Sequence, residues 1–236
     1  MLTETKIRTA EVSARRTAAD GRTIRVVIVD DHPVVRQGLS LLLEQEGDMV
    51  CVGEAETTVD ALKVLEETRP DVAVVDISLR DSSGIELVKD IRIRWPEMLA
   101  LVLSMHDESF YAERVLRAGA RGYVTKDEVG EKVITAIRRV LTGEIYLSDR
   151  MSSKMLCKLV DNRQPAGVSV ECLSDRELQV FEMIGQGQGT RNIAEALHLS
   201  TKTIESHRER IKKKLQFTNA SELLQHAIQW VQLERG

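Results

Sequence analysis

Short apolar runs alternate with segments of helical periodicity over residues 24–141 of the chain. The runs are rich in valine, isoleucine and leucine, which is typical of strands buried on both faces. They predict strands at 24–29, 49–54, 71–75, 99–103 and 122–125. The segments between and after them predict helices at 34–46, 59–68, 84–94, 108–118 and 128–141. Five successive strand-then-helix units predict a parallel sheet with helices on both faces.

The short apolar runs typical of buried strands no longer recur after residue 142. Residues 143–171 predict a linker with one short amphipathic helix, and residues 1–23 are polar and predict a disordered tail. Four helical segments follow, at 175–184, 190–197, 201–215 and 220–233. The predicted class is therefore α/β plus all-α, with an α/β domain over 24–142 and a helical domain over 172–236.

Composition narrows the class of protein. The apolar fraction is 42% and the charged fraction 30%, as in ordinary globular proteins. No apolar run is long enough to cross a bilayer, and the charged N-terminus does not resemble a signal peptide. Three widely spaced cysteines argue against a disulfide scaffold or a zinc site, and a net charge of −4 argues against a non-specific nucleic-acid coat. We expect a reduced, cytoplasmic protein with no membrane partner.

Polar side chains follow four of the predicted strands, each at the strand's carboxyl end. They are Asp30, Asp31, Asp76, Ser104 and Lys126. In a flavodoxin-like sheet of order 2-1-3-4-5 these ends lie at one edge, where ligands of open α/β sheets bind. Three carboxylates in one cleft repel one another and need a cation, and oxygen ligands favour Mg²⁺.

This set of residues suits phosphoryl chemistry. A carboxylate such as Asp76 forms covalent acyl phosphates, Lys126 supplies a compact positive charge for phosphoryl oxygens, and Ser104 can donate a hydrogen bond to them. A single aspartate after a strand is more often a helix cap, so the prediction depends on the whole set. His32 and His106 lie nearby without a ligand-spaced partner and are interpreted as loop residues.

Four segments resemble the receiver domain of two-component response regulators: VVIVDDHPVVRQGL, VAVVDISL, LVLSMHD and GYVTKD. The resemblance covers about residues 24–142. It implies that Asp76 is the phosphoacceptor, that Asp31 binds Mg²⁺ directly and Asp30 through water, and that the Ser78 carbonyl completes the metal shell. It further implies that Ser104 and Tyr123 are the switch residues and that Lys126 is the family's lysine. One departure is Arg80, where the family often has proline.

Two other functions compete with a phosphorylated switch. A phosphatase of haloacid-dehalogenase type would need a second acid two residues after the nucleophile, and Ser78 stands there instead. A receiver that works unphosphorylated, through protein binding alone, would not need the complete acidic set. We therefore predict a regulator and not an enzyme.

The segments at 190–197 and 201–215 have helix-turn-helix proportions, with Ser200 as a suitable N-cap for the second. Five cations cluster within seven residues of that helix, and such a cluster suits the phosphates of a DNA duplex. They are Arg208, Arg210, Lys212, Lys213 and Lys214. An ordinary solvated helix is the alternative reading. The predicted contacts to DNA are Lys202, Thr203, Ser206, Glu209, Arg210 and Lys213.

Residues 172–234 resemble the LuxR-type DNA-binding domain of the NarL/FixJ subfamily through LSDREL, NIAEALHLSTKTIESHRERIKKKL and NASELLQHAIQWV. The resemblance implies that 201–215 is the recognition helix and 220–233 a dimerisation helix. Together the two resemblances imply a phosphorylation-activated transcription regulator. Its expected partners are a sensor histidine kinase, double-stranded promoter DNA and a second copy of the chain when phosphorylated or DNA-bound.

Overall fold

A computed structural model describes residues 22–79, 83–128, 130–161 and 170–235. The chain forms two compact units, one ending at Ser148 and the other beginning at Asp149. Most of the predicted tail (1–23) and of the second half of the predicted linker (143–171) lies outside the described residues, as does Arg80. The predicted domain boundaries stay a prediction.

The first unit is a five-stranded parallel sheet of order β2-β1-β3-β4-β5. Its strands are β1 (Ile24–Val29), β2 (Met49–Ala55), β3 (Val72–Val75), β4 (Leu99–Ser104) and β5 (Gly122–Thr125). Its helices are α1 (Pro33–Gln45), α2 (Thr58–Thr68), α3 (Gly84–Arg94), α4 (Glu108–Ala118) and α5 (Glu131–Leu141). The strand order confirms the flavodoxin-like fold.

The central strands are buried along most of their length, which explains the continuous apolar runs in the sequence. Val26 to Val29 in β1 and Val72 to Val75 in β3 are all buried. Helices cover both faces of such a sheet, so apolar and polar residues do not alternate along its strands. Polar side chains on these strands are therefore confined to the strand ends.

Helix α5 begins at Glu131, three residues later than the predicted start at 128. Residues Lys126–Glu128 form a 3₁₀ turn instead, and Gly130 follows with a φ of 124°. Glycine reaches this positive φ without a steric penalty, and the backbone cannot continue a helix through it. The predicted apolar stripe of α5 is buried at Val133, Ile137 and Val140, whereas Val129 lies outside the described residues.

The second unit is helical. It contains α6 (Asp149–Asp161), α7 (Asp175–Gly185), α8 (Thr190–Ala196), α9 (Thr201–Lys214) and α10 (Ala220–Arg235). Ser174 and Glu177 form a capping box at the start of α7, and Ser200 caps α9 by accepting from the Thr203 N–H. The four helices predicted after the linker are confirmed. No helix among the described residues is long and apolar enough to cross a membrane.

Residues 144–148, which we call the β5 strap, run along the outer edge of the sheet. The Tyr146 N–H donates to the Arg121 carbonyl, and the Tyr123 N–H donates to the Tyr146 carbonyl, both over 2.9 Å. Ser148 donates its backbone N–H and its hydroxyl to the Glu108 carboxylate at the start of α4. The strap thus pairs with β5 and is tied to α4.

Gly122 allows this close approach. A Cβ atom at this position would lie 2.8 Å from the Tyr146 carbonyl oxygen and 2.9 Å from Leu101 Cδ1. Both distances are shorter than van der Waals contact, and the nearer atom belongs to backbone that cannot rotate away. The close approach of the strap to β5 therefore requires a residue without a Cβ atom at position 122.

We expect Gly122→Ala to lower the free energy of unfolding of the first unit by about 1–3 kcal/mol, as overpacking does. Urea unfolding monitored by Trp95 fluorescence in a Trp230→Phe background reports on this unit. The matched control is Gly38→Ala, because a Cβ there meets nothing within 4 Å. The control should stabilise α1 by up to about 1 kcal/mol. Equal stability of Gly122→Ala and the parent would contradict the strap packing.

Candidate functional site

The predicted acidic cleft forms at the carboxyl edge of the sheet. Asp30 directly follows β1, Asp76 directly follows β3, and Lys126 directly follows β5. Lys126 Nζ lies 2.6 Å from Asp30 Oδ2 and 2.7 Å from Asp76 Oδ2. The ends of three strands therefore bring one ammonium between two carboxylates, as the strand order predicts.

All the charged groups of this cleft are buried. Asp76 is 3% exposed and the Lys126 side chain 5% exposed. Burial raises the pKa of Asp76 to about 6, although the Lys126 ammonium opposes the shift; Asp30 adds to it by repulsion. Burial lowers the pKa of Lys126, but Asp76 and Asp30 outweigh it and hold that pKa above its usual range. Lys126 is therefore a permanent cation in the cleft.

The cleft has the donor set of a cation site. One ligand atom from each of Asp30, Asp31, His32 and Asp76 can be chosen so that all four lie within 4.8 Å of one another. Asp76 Oδ1 is buried and has no hydrogen-bond partner among the described residues. Three carboxylates face a single ammonium, and carboxylate oxygens are the usual ligands of hard divalent cations. The residues present thus fit a divalent cation.

Hydrogen bonds connect the predicted switch residues, Ser104 and Tyr123, with the loop that follows β4. Ser104 ends β4, and its Oγ accepts from the His106 N–H over 3.2 Å. Tyr123 is 1% exposed, and its hydroxyl donates to the His106 carbonyl over 2.7 Å. Ser78 Oγ and His106 Nε2 are 3.0 Å apart. The predicted switch residues Ser104 and Tyr123 thus share one contact, the loop residue His106.

The structure gives both histidines contacts that the interpretation as loop residues missed. His32 Nδ1 lies 2.7 Å from Asp31 Oδ1 and 3.2 Å from Asp30 Oδ1. Gly84 was also missed. A Cβ there would lie 1.8 Å from the Asp76 carbonyl oxygen, so only glycine lets α3 start against the backbone of Asp76. Adjacency to the DD pair could have pointed to His32, but no sequence signal marks the contact at Gly84.

The helix-turn-helix of the second unit places α9 with one buried and one exposed face. Ile204, Ile211 and Leu215 are buried. Five of the predicted DNA contacts are exposed: Lys202, Ser206, Glu209, Arg210 and Lys213. The sixth, Thr203, is half-buried, and its hydroxyl lies 2.8 Å from the Ser200 hydroxyl at the cap.

The basic residues of α9 fall into two groups, those that pair with acidic residues of the chain and those that form no ion pair with a described residue. Lys214 Nζ lies 2.6 Å from the buried Glu177 carboxylate and donates to the Cys172 carbonyl, so it joins α9 to α7. Lys212 pairs with Glu209 over 2.7 Å. Arg210 and Lys213 form no ion pair with any residue that the structure describes. These two cations are thus unpaired among the residues that the structure describes.

Comparison with known proteins agrees with both halves of the structure. Residues 26–138 match the model of the response regulator receiver domain, and residues 171–227 match that of the bacterial regulatory proteins of the luxR family. The oxygen regulatory protein NreC of Staphylococcus epidermidis is 36% identical over 217 residues, which span 89% of this chain and 100% of that protein. The chain belongs to the NarL/FixJ family of response regulators.

Solved structures of this response regulator family match as well. RcsB of Salmonella enterica serovar Typhimurium, bound to promoter rprA in the presence of phosphomimetic BeF₃⁻, is 27% identical with a TM-score of 0.57. The match covers 87% of this chain and 98% of that one. A structure of two RcsB dimers on two parallel DNAs is 26% identical with a TM-score of 0.53, covering 86% and 97%. Members of the family are DNA-binding transcription regulators controlled by phosphorylation, not enzymes.

The raised pKa of Asp76 makes cation binding depend on pH. Above pH 6 the carboxylate is charged and suits a divalent cation, whereas below it a proton competes for the same oxygens. We expect the apparent Kd for Mg²⁺ to rise by up to about tenfold per pH unit below pH 6. Isothermal titration calorimetry between about pH 5 and pH 7.5 measures this. An affinity that stays constant over that range would contradict the proton competition.

Proposed function

We propose that Asp76 accepts a phosphoryl group from a sensor histidine kinase. We propose that the second unit binds promoter DNA in response. The observation that supports this best is the environment of Asp76. One of its oxygens lies 2.7 Å from the Lys126 ammonium, and the other is buried without a hydrogen-bond partner among the described residues. A nucleophilic carboxylate needs such a reactive oxygen together with a fixed positive charge for the incoming group.

The transfer exchanges one bond to phosphorus for another. An Asp76 oxygen forms the new O–P bond while the P–N bond of the kinase's phosphohistidine breaks, and that electron pair leaves with the imidazole nitrogen. Lys126 lies within contact distance of Asp76, so its charge stabilises the phosphoryl oxygens as they arrive. The product carries more negative charge and more acceptor atoms than the original carboxylate.

We assign Mg²⁺ to the acidic cluster. Asp31 and Asp76 would bind it directly, Asp30 through water, and the Ser78 backbone carbonyl would complete the shell. When bound, the ion neutralises the carboxylates and the incoming phosphate. The support is the burial of three carboxylates against one lysine, which leaves excess negative charge in the cleft.

We propose that Ser104 and Tyr123 change their hydrogen bonds when Asp76 is phosphorylated. The Ser104 hydroxyl oxygen accepts from the His106 N–H, and its O–H can donate to a phosphoryl oxygen at Asp76. His106 also accepts from the Tyr123 hydroxyl, so movement of this loop changes the environment of both switch residues. The loop leads directly into α4, whose first residue holds the β5 strap.

Covalent labelling tests the acceptor. With acetyl phosphate and Mg²⁺ we expect the intact mass of the chain to increase by one phosphoryl group, and Asp76→Asn to abolish the increase because the nucleophilic oxygen is lost. Asp60→Asn is the control, since Asp60 is an exposed carboxylate in α2 outside the cleft. Undiminished labelling of Asp76→Asn would refute the assignment, whereas its loss in both variants would indicate a general defect.

We propose further that α9 enters the major groove of DNA with Lys202, Thr203, Ser206, Glu209, Arg210 and Lys213 towards it. The exposure of Arg210 and Lys213 and their lack of ion pairs in the described chain support this. Paired half-sites would be bound by two copies of the chain through α10, when it is phosphorylated or on DNA. Because its proposed partners are a kinase's phosphohistidine and promoter DNA, we place the protein in the cytoplasm.

Salt dependence tests the groove side of α9. We expect Lys213→Ala to weaken binding to a mixed-sequence duplex and to reduce the slope of log K against log salt by about 1, because one phosphate contact is lost. Fluorescence anisotropy over a salt series measures both. Lys63→Ala is the control, as Lys63 is 68% exposed but lies in α2. A slope for Lys213→Ala equal to that of the control would count against this orientation.

A further inference from the structure

His32 lies at the cation cluster, although it is not among the ligands assigned above. It is the N-cap residue of α1, and Pro33 occupies the first turn. A residue before proline is restricted to extended backbone, and His32 has a φ of −93° and a ψ of 109°. Its N–H donates to Asp30 Oδ1 over 2.8 Å. The proline that follows His32 and the hydrogen bond of its N–H to Asp30 therefore restrict the direction in which the side chain leaves the backbone.

The imidazole contacts the acidic pair. Nδ1 lies 2.7 Å from Asp31 Oδ1 and 3.2 Å from Asp30 Oδ1, while the side chain as a whole is 61% exposed. His32, Asp30, Asp31 and Asp76 each contribute one atom to the group that lies within 4.8 Å. Two ligands at about 2.1 Å from one ion are at most about 4.2 Å apart, so a small inward movement brings His32, Asp31 and Asp76 onto a single cation, with Asp30 bound through water.

A nitrogen ligand changes which cations a site prefers. Mg²⁺ takes oxygen ligands and rarely accepts imidazole, whereas Co²⁺, Ni²⁺ and Zn²⁺ bind imidazole well. A cleft lined only by carboxylates and a carbonyl lacks the nitrogen ligand, so its preference for these metals over Mg²⁺ is smaller. With Asp76 Oδ1 buried and without a hydrogen-bond partner in the described chain, the cluster has a further oxygen available for the same ion.

We propose that His32 is a fourth protein ligand in the acidic cleft and gives it a higher affinity for borderline transition-metal cations than for Mg²⁺. The proposal rests on the cation site of the proposed function and adds a residue that determines its selectivity. Mg²⁺ uses the oxygen ligands alone, and a transition metal adds the His32 imidazole. The cation that is bound then determines whether His32 is a ligand at the acceptor site when a phosphoryl donor arrives.

Calorimetry on the full chain with Co²⁺ and with Mg²⁺ tests the selectivity. We expect His32→Gln to weaken Co²⁺ binding by about 10–100-fold and to change Mg²⁺ binding by less than about twofold, because only Co²⁺ loses a ligand. His198→Gln, in the turn before α9, is the matched control and should leave both affinities unchanged. Far-ultraviolet circular dichroism verifies that His32→Gln is folded, and His32→Asn serves as a second variant.

Proton NMR of the Co²⁺-loaded chain gives a direct readout of the ligand. We expect a paramagnetically shifted imidazole N–H resonance in the parent and in His198→Gln, and its absence in His32→Gln. Equal losses of Co²⁺ and Mg²⁺ affinity would overturn the proposal, because His32 would then only orient Asp31. Unchanged affinities, or a shifted resonance that persists in His32→Gln, would overturn it as well.

Asp76→Asn separates this proposal from the function on which it rests. If that variant binds both cations as well as the parent, the cation site itself is misplaced and the proposed function loses its metal. If Asp76→Asn loses both cations while His32→Gln loses neither, the acceptor site stands and only the role of His32 is wrong.

Discussion

The first unit depends on the contact of one buried ammonium with two buried carboxylates. Lys126 reaches Asp30 and Asp76 from the end of a different strand, so the contact holds the carboxyl ends of β1, β3 and β5 in register around a single point. Removing charges from water costs free energy, and a buried pair recovers it only with good geometry. One lysine cannot balance three acids, and the excess negative charge suits the cleft to a divalent cation.

The positions of Asp30, Asp76, Ser104 and Lys126 could be predicted because a parallel sheet leaves little choice. Its strands are buried on both faces, so polar residues accumulate at the ends, and the strand order brings those ends together. The sequence pattern also predicted four helices after the linker from their apolar spacing, and Ser200 was correctly predicted as the N-cap of α9.

Contacts that depend on exact backbone separation could not be predicted in the same way. Gly84 looks like any residue at a helix start, yet its missing Cβ is what lets the Asp76 carbonyl approach. Lys214 belongs to a run of three lysines, but its partner is Glu177 from another helix, and no periodicity connects the two. The late start of α5 follows from a single positive φ at Gly130. The first two depend on distances between segments that are far apart in the sequence, and the third depends on the backbone conformation of one residue. The local pattern of apolar positions contains neither.

The β5 strap has a consequence for the outermost strand of the sheet. An edge strand offers unpaired backbone groups to any other chain, and proteins commonly cover such edges to avoid aggregation. Tyr146 occupies two of these groups, its N–H on the Arg121 carbonyl and its carbonyl on the Tyr123 N–H. A chain shortened to residue 142 would keep every strand and helix of the first unit and still uncover this edge. Proteolysis just after α5 would therefore leave a folded fragment prone to pair with copies of itself.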